Sequence, residues 1–171
     1  MKVLNMSSEK PIIKIVMNND TKQDKQHIPV ETKVSSNNNI VISGPKILIT
    51  GDRNFKATKP IIAVVTQCKS KGFVIIHGDC PSGADNIASK LCDELKVQQI
   101  KFPAEWSKYG KGAGPKRNQD MINMKPVMCY AFHDDISSSK GTKDTINRAK
   151  KANIPVVLLN SKGHIIDNTL Y

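Results

Sequence analysis

From Lys46 onward, short and almost wholly apolar runs alternate with longer segments of helical period, and that alternation leaves few folds open. The apolar runs are Lys46–Thr50, Phe73–Ile76, Val97–Phe102, Val127–Phe132 and Pro155–Leu159. Each is too short for an ordinary helix, and all but Val97–Phe102, which holds Gln98, Gln99 and Lys101, lack polar alternation, which is how a strand buried on both faces reads. Between the first two runs, Thr58 is placed to cap a helix whose first turn tolerates Pro60. Its inner side carries Ile61, Ile62, Val64, Val65 and Cys68, and Gly72 ends it. Ser82 and Asp85 then have the spacing of a capping box, ahead of Ala84, Ile87, Ala88, Leu91, Cys92 and Leu95 at helical intervals. Further helices are predicted from Gly114 to about Asn123 and from Gly141 to Ala152, with a longer loop, Pro103–Gly112, before the former. Strand, helix, strand in repetition predicts a Rossmann-like, doubly wound α/β fold: a mainly parallel five-stranded sheet with helices on both faces.

The first 44 residues break this pattern. Asn18–Gln26 is uniformly polar and Ser35–Asn39 is of low complexity, so neither can bury enough apolar surface to offset its ordering entropy. We expect a polar extension over residues 1–44 and one Rossmann-type domain over 45–171. Pro11–Met17 and Ile40–Ser43 are its only stretches suited to short strands or docking.

No apolar run approaches the roughly 18 residues that span a bilayer, and no signal-peptide core precedes the domain. Cys68, Cys92 and Cys129 fall within apolar patterns and read as small buried hydrophobes of a reducing, cytoplasmic compartment. His77 and Cys80 are spaced as a ligand pair, but no second pair follows, so no metal site is expected. The chain has 26 Lys and Arg against 15 Asp and Glu, net +11. Most of the excess lies after Pro45, on the folded part, which suits an anionic partner such as a nucleotide or nucleic acid. Lysine supplies nearly all of it: Arg53, Arg117 and Arg148 are the three arginines, and arginine is the side chain that grips phosphate bidentately.

In an open parallel sheet, ligands bind beyond the carboxyl ends of the strands. Three of those ends carry glycine with hydroxyl, amide or charged neighbours. They are Gly51-Asp52-Arg53 after the first strand, His77-Gly78-Asp79 through Ser82-Gly83-Ala84-Asp85 after the second, and His133–Asp135 through Gly141-Thr142 after the fourth. Glycine allows close backbone approach, and helix N-termini offer N–H donors to an anion. Trp106, the single tryptophan, stands in a polar loop. Gly110–Gly114 does not follow a strand and lacks the full dinucleotide fingerprint, so it reads as a lead-in to the next helix. That helix opens with Gly114, then Lys116, Arg117 and Asn118. Cations at a helix N-terminus oppose the dipole unless they meet an anion.

Four stretches carry a family resemblance: Ile47–Phe55 (ILITGDRNF), Val74–Asp85 (VIIHGDCPSGAD), Phe102–Met121 (FPAEWSKYGKGAGPKRNQDM) and Lys140–Leu159 (KGTKDTINRAKKANIPVVLL). Together they resemble the YspA-like branch of the SLOG superfamily, Rossmannoid domains related to the LOG nucleotide phosphoribohydrolases and to the DNA-processing protein DprA. The resemblance implies a seat for a nucleotide or nucleotide-derived ligand, built from Gly51, Asp52, Arg53, His77, Gly78, Ser82, Gly83, Asp85, Trp106, Gly114, Lys116, Arg117, Asn118, Gly141 and Thr142. It also implies a homodimer or higher homo-oligomer. Arg117–Met121 matches the LOG Arg-Lys-x-x-Met motif with Asn118 in place of lysine. Gly141–Thr145 matches the second LOG motif, except that Thr145 stands where a catalytic glutamate belongs. Asp144 is one position off, about 100° around a helix. Any catalysis would fall to Arg117 with Asp79 or Asp85, or with Asp134 or Asp135.

Three functions follow as expectations. The leading one is a sensor or effector module that binds a nucleotide-type ligand without turnover, with Trp106, Tyr109 or Phe55 stacking on the base. The second is N-glycoside hydrolysis of a nucleotide. The third is nucleic-acid binding of the DprA type, which predicts strong salt dependence but has few arginines and no aromatic-rich surface behind it.

Overall fold

The structure is a computed structural model that describes residues 42–169. The expected extension and Pro11–Met17 lie outside those residues; of the Ile40–Ser43 stretch only Ile42 and Ser43 are described, both exposed and outside any strand.

The elements run β1 (Lys46–Gly51), α1 (Thr58–Lys71), β2 (Val74–His77), α2 (Gly83–Leu95), β3 (Gln99–Lys101), α3 (Trp106–Tyr109), α4 (Ala113–Asn123), β4 (Met128–Phe132), α5 (Gly141–Lys151), β5 (Val156–Leu159) and β6 (Ile165–Thr169). Short 3₁₀ turns occupy Gly110–Gly112 and Ile136–Ser138. The sheet order is β3-β2-β1-β4-β5-β6. The five predicted strands are all parallel, and β6 pairs antiparallel with β5 at the edge. The sheet therefore has six strands rather than five. β6 escapes a reading based on burial because Ile165 and Ile166 are exposed and the strand then turns polar.

The fully apolar runs form strands because both faces are covered: α1 packs with α2, and α4 with α5. Leu48, Cys129, Ala131, Val156 and Leu158 share one core with Met121 and Ile122 of α4 and Ile146 and Ala149 of α5. Alternation along β1 turns Ile47, Ile49 and Gly51 to the other face, where Ile61, Val64, Val65, Ala84 and Ala88 are likewise buried. Burial pushes the thiols of Cys68, Cys92 and Cys129 up to about 12, as suits cysteines that serve as core hydrophobes. The long Pro103–Gly112 segment is more ordered than a loop, since it holds α3 and a 3₁₀ turn.

Both predicted side-chain caps, those of α1 and α2, differ in detail. Ala57, not Thr58, occupies the cap position of α1, and no side chain caps it. Ser82 precedes α2 as predicted, but its hydroxyl caps nothing and the capping box does not form. The Asp52 carbonyl instead accepts the Ala84 N–H at 3.1 Å, so the β1 turn satisfies the first turn of α2. Asp85 is left free to turn inward.

The strand order reverses between β1 and β4: the chain steps from β1 outward through β2 and β3, then returns to the far side of β1. At such a switch point the following loops part and leave a crevice beyond the carboxyl ends. Gly51 and Phe132 are register partners at that crevice, and the Asp52 N–H extends the ladder to the Phe132 carbonyl at 3.0 Å.

Candidate functional site

A cavity of about 370 Å³ opens at this switch point. Its walls come from the β1 turn (Thr50–Asn54), from Cys80 and Asp85, from Arg117 and Asn118 of α4, from His133, and from the approach and first turns of α5 (Ser138–Thr142 and Thr145). Eight predicted site residues meet here: Gly51, Asp52, Arg53, Asp85, Arg117, Asn118, Gly141 and Thr142.

Arg117 is held from two sides. It donates to the Gly78 carbonyl, and its Nε donates to Asn118 Oδ1 at 3.0 Å. Asn118 is buried, and its Nδ2 donates to Asp144 at 3.0 Å; Arg148 Nε donates to the same Asp144 oxygen at 2.8 Å. A continuous hydrogen-bonded chain thus runs from α5 through Asn118 to Arg117 and the β2 loop. Burial alone would raise the Asp144 carboxyl, but Arg148 and Asn118 hold it below its ordinary value.

Asp85 sits on the other flank of Arg117. Burial holds its carboxyl above its ordinary value, opposed by His77, by Arg117 and by the N–H groups of Cys80 and Gly78. Gly78 explains how the two groups fit together. A Cβ there would run into the guanidinium of Arg117 and come within 2.8 Å of Asp85 Oδ2.

The N-terminus of α5 opens into the cavity. Ser139 Oγ takes the Thr142 N–H at 3.1 Å, while the N–H groups of Lys140 and Gly141 have no partner among the described residues. Unpaired N–H groups and the positive end of the helix dipole attract an anion, and Lys140, Arg53 and Arg117 add full charges to the same wall. His133, absent from the predicted set, is buried on this wall too. Its Nδ1 accepts the Asp135 N–H at 3.0 Å, which assigns the ring proton to Nε2 and makes that nitrogen a donor. The sequence signal was its place directly after β4.

Other predicted residues lie elsewhere, each for a physical reason. His77 is fully buried: Nδ1 accepts the Asp79 N–H at 3.1 Å and Nε2 pairs with Gln99 Oε1 at 2.8 Å, so it ties β2 to β3. Gly83, at φ +71°, is glycine because a Cβ would collide with the backbone of Asp52 and Arg53; it brings α2 to the β1 turn and lies off the cavity wall. Gly51 serves the same contact, a Cβ there meeting Ala84 Cβ at 2.6 Å. Ser82 is exposed off the wall, as is Asp79, whose φ is +50°. Lys116 pairs with Asp120 at 2.7 Å on the outer side of α4. Gly114 lies one turn before Arg117, with Trp106 against it. Phe55 is core, packed at a tilt against Phe132 with 5.7 Å between ring centroids. Asp134 accepts the Ser161 N–H at 2.7 Å and Asp135 caps the turn after it. Asp52 and Asp85 are the carboxylates on the wall.

A model of the YspA, cpYpsA-related SLOG family matches residues 45–109. The Gene 61 protein of Mycobacterium phage D29 is 30% identical over 125 residues, which span 68% of this chain and 98% of that protein. The chain belongs to this SLOG family. Among solved structures, the molybdenum cofactor binding protein from the phototrophic bacterium Rippkaea orientalis shares the fold, with a TM-score of 0.55 and 18% identity over 69% of this chain and 77% of that one. A Moco carrier protein from Chlamydomonas reinhardtii aligns more weakly, with a TM-score of 0.48 and 17% identity over 68% of this chain and 76% of that one. Among the described residues, no helix is long and apolar enough to cross a membrane, and no three His, Cys, Asp or Glu side chains converge as a metal site would require.

Proposed function

We propose that this SLOG domain binds a nucleotide or nucleotide-derived ligand at the carboxyl rim of its sheet, as a sensor or effector module. One observation carries the reading: the first turn of α5 opens into the switch-point cavity beside Arg117 and Lys140. Helix N–H groups, a fixed guanidinium and an ammonium make a seat for phosphate. The imbalance of three basic side chains over Asp52 and Asp85 is increased by burial, which disfavours the charged form of Asp85. The volume is within the range of small-ligand sites. Isothermal calorimetry with AMP, CMP, NAD and inorganic phosphate tests the reading, alongside mass spectrometry of small molecules released on denaturation. Binding that is lost in Arg117→Ala supports it. Absence of binding by all four, with no co-purifying phosphate compound, overturns it. The molybdenum cofactor belongs in the same panel because a protein of this fold bears its name.

Asp85 favours a second reading, nucleotide N-glycoside hydrolysis. It is a buried carboxyl held above its ordinary value beside Arg117 on the same cavity, as a general acid requires. Release of free base from AMP or CMP, abolished in Asp85→Asn, would replace the binding module with an enzyme.

A further inference from the structure

We infer that Trp106 forms a stacking shelf for the base of the ligand, outside the cavity and one helical turn from Arg117. The inference rests on the phosphate seat proposed above and adds which part of the ligand is read, and where.

Trp106 is the only tryptophan in the chain and is 58% exposed. Its ring edge is moored on α4, where a Cβ on Gly114 would lie 3.5 Å from Trp106 Cη2, an ordinary packing distance. Gly114 precedes Arg117 and Asn118 by three and four residues, and residues at those spacings share one face of a helix. The rise along α4 is about 5 Å between them. The indole therefore stands beside the part of α4 that walls the cavity, with much of its surface in solvent.

Its neighbours narrow the occupant. Tyr109, one turn along the same short helix, has the ammonium groups of Lys108 and Lys116 at 5.0 and 5.3 Å from its ring centroid. Among the described residues no ring or cation covers Trp106 in that way. Around it Lys108 pairs with Glu105 at 3.8 Å and Lys116 with Asp120 at 2.7 Å, while Arg117 stands one turn along α4, which suits a planar ring that brings phosphate with it better than an apolar peptide. A purine or pyrimidine base meets both demands, and the larger purine face stacks on more of the indole.

Because this is the sole tryptophan, its fluorescence reports on the shelf alone. Full-length protein is titrated with AMP, CMP and ribose 5-phosphate, with calorimetry as an independent measure of binding. We expect AMP to quench the emission more than CMP does, while ribose 5-phosphate binds without quenching. Trp106→Ala should weaken AMP roughly 5- to 150-fold, the range of one base stacked on an aromatic side chain, and leave ribose 5-phosphate unchanged; Trp106→Phe should recover much of the loss. Equal affinity for AMP and ribose 5-phosphate, unaltered in Trp106→Ala, overturns the shelf and leaves the phosphate seat standing. Calorimetric silence from all three overturns the seat and the shelf together.

Discussion

Asn118 is the point at which the placement of Arg117 can be broken without removing a charge. The side chain is 4% exposed, accepts from Arg117 Nε at 3.0 Å and donates to Asp144 at 3.0 Å. Asn118→Ala deletes two hydrogen bonds to charged partners, each worth about 1.5–3 kcal/mol. Asp144 keeps Arg148, and that pair is about one-third exposed, so water recovers part of the loss and the lower end applies, about 2–3 kcal/mol in total. For a domain of this size that lowers Tm by roughly 6–15 °C. In binding, an unpinned Arg117 retains its charge but loses its aim, so AMP affinity should fall about tenfold, less than in Arg117→Ala. The double variant should then bind no worse than Arg117→Ala alone, because Asn118 acts through the guanidinium. Thermal unfolding and calorimetry on the four proteins complete the cycle. Full AMP affinity in Asn118→Ala, or two losses that simply add, would refute the claim that this chain of hydrogen bonds holds Arg117.

Cys80 is the half-buried thiol on the cavity wall, whereas burial pushes those of Cys68, Cys92 and Cys129 to about 12. A thiol reagent at pH 8 should therefore modify one cysteine rapidly in native protein and four in denaturant, and AMP should slow the first; two fast thiols would contradict the burial pattern. Because burial raises the Asp85 carboxyl, the folded state binds that proton more tightly than the unfolded one, and stability from this group is lost as pH rises above the ordinary aspartate range. Asp85→Asn should therefore outlast the parent in urea at pH 7, with the gap closing on acidification; a gap that widens in acid would show the sign to be wrong. Gly83→Ala, which forces a Cβ into the Asp52 backbone at φ +71°, should cost about 2–4 kcal/mol in urea unfolding. A variant within 0.5 kcal/mol of the parent would remove the packing role assigned to that glycine.

Much of the fold was legible because burial on both faces leaves a plain mark: runs such as Ile47–Ile49 and Met128–Phe132 have no polar residue to suggest any other state. β6 was not legible, because an edge strand with exposed isoleucines and a polar second half reads like a tail. The rim was legible as a place, since strand ends in a parallel sheet must converge there, but glycine marked it ambiguously. Gly51 and Gly83 occur where α2 closes on the β1 turn, and Gly78 where Arg117 needs room; each reads in sequence as a surface for ligand. The two histidines show the same limit. His77 and His133 each follow a strand core and each accept an N–H from two residues on, yet Gln99 consumes the second nitrogen of His77, while His133 stands on the cavity wall. Only the neighbouring strand decides between them.

The one-residue offset between Asp144 and Thr145, the position to which the LOG resemblance assigns a glutamate, is consequential for the site. Successive helical residues point about 100° apart, and α5 shows the result: Thr145 faces the cavity, 1% exposed, with its hydroxyl donating to the Gly141 carbonyl at 3.2 Å, while Asp144 faces Arg148 and Asn118. The carboxylate of this turn, Asp144, thus steadies Arg117 from behind through Asn118. Thr145 places no carboxylate on the cavity side of α5, where one would compete with an anion for the helix dipole. The anion seat proposed above therefore has Thr145 in that place, Arg117 braced and Asp85 disfavoured from ionising. On that account Thr145→Asp should weaken AMP binding, and an unchanged affinity would mean that the phosphate is seated away from α5.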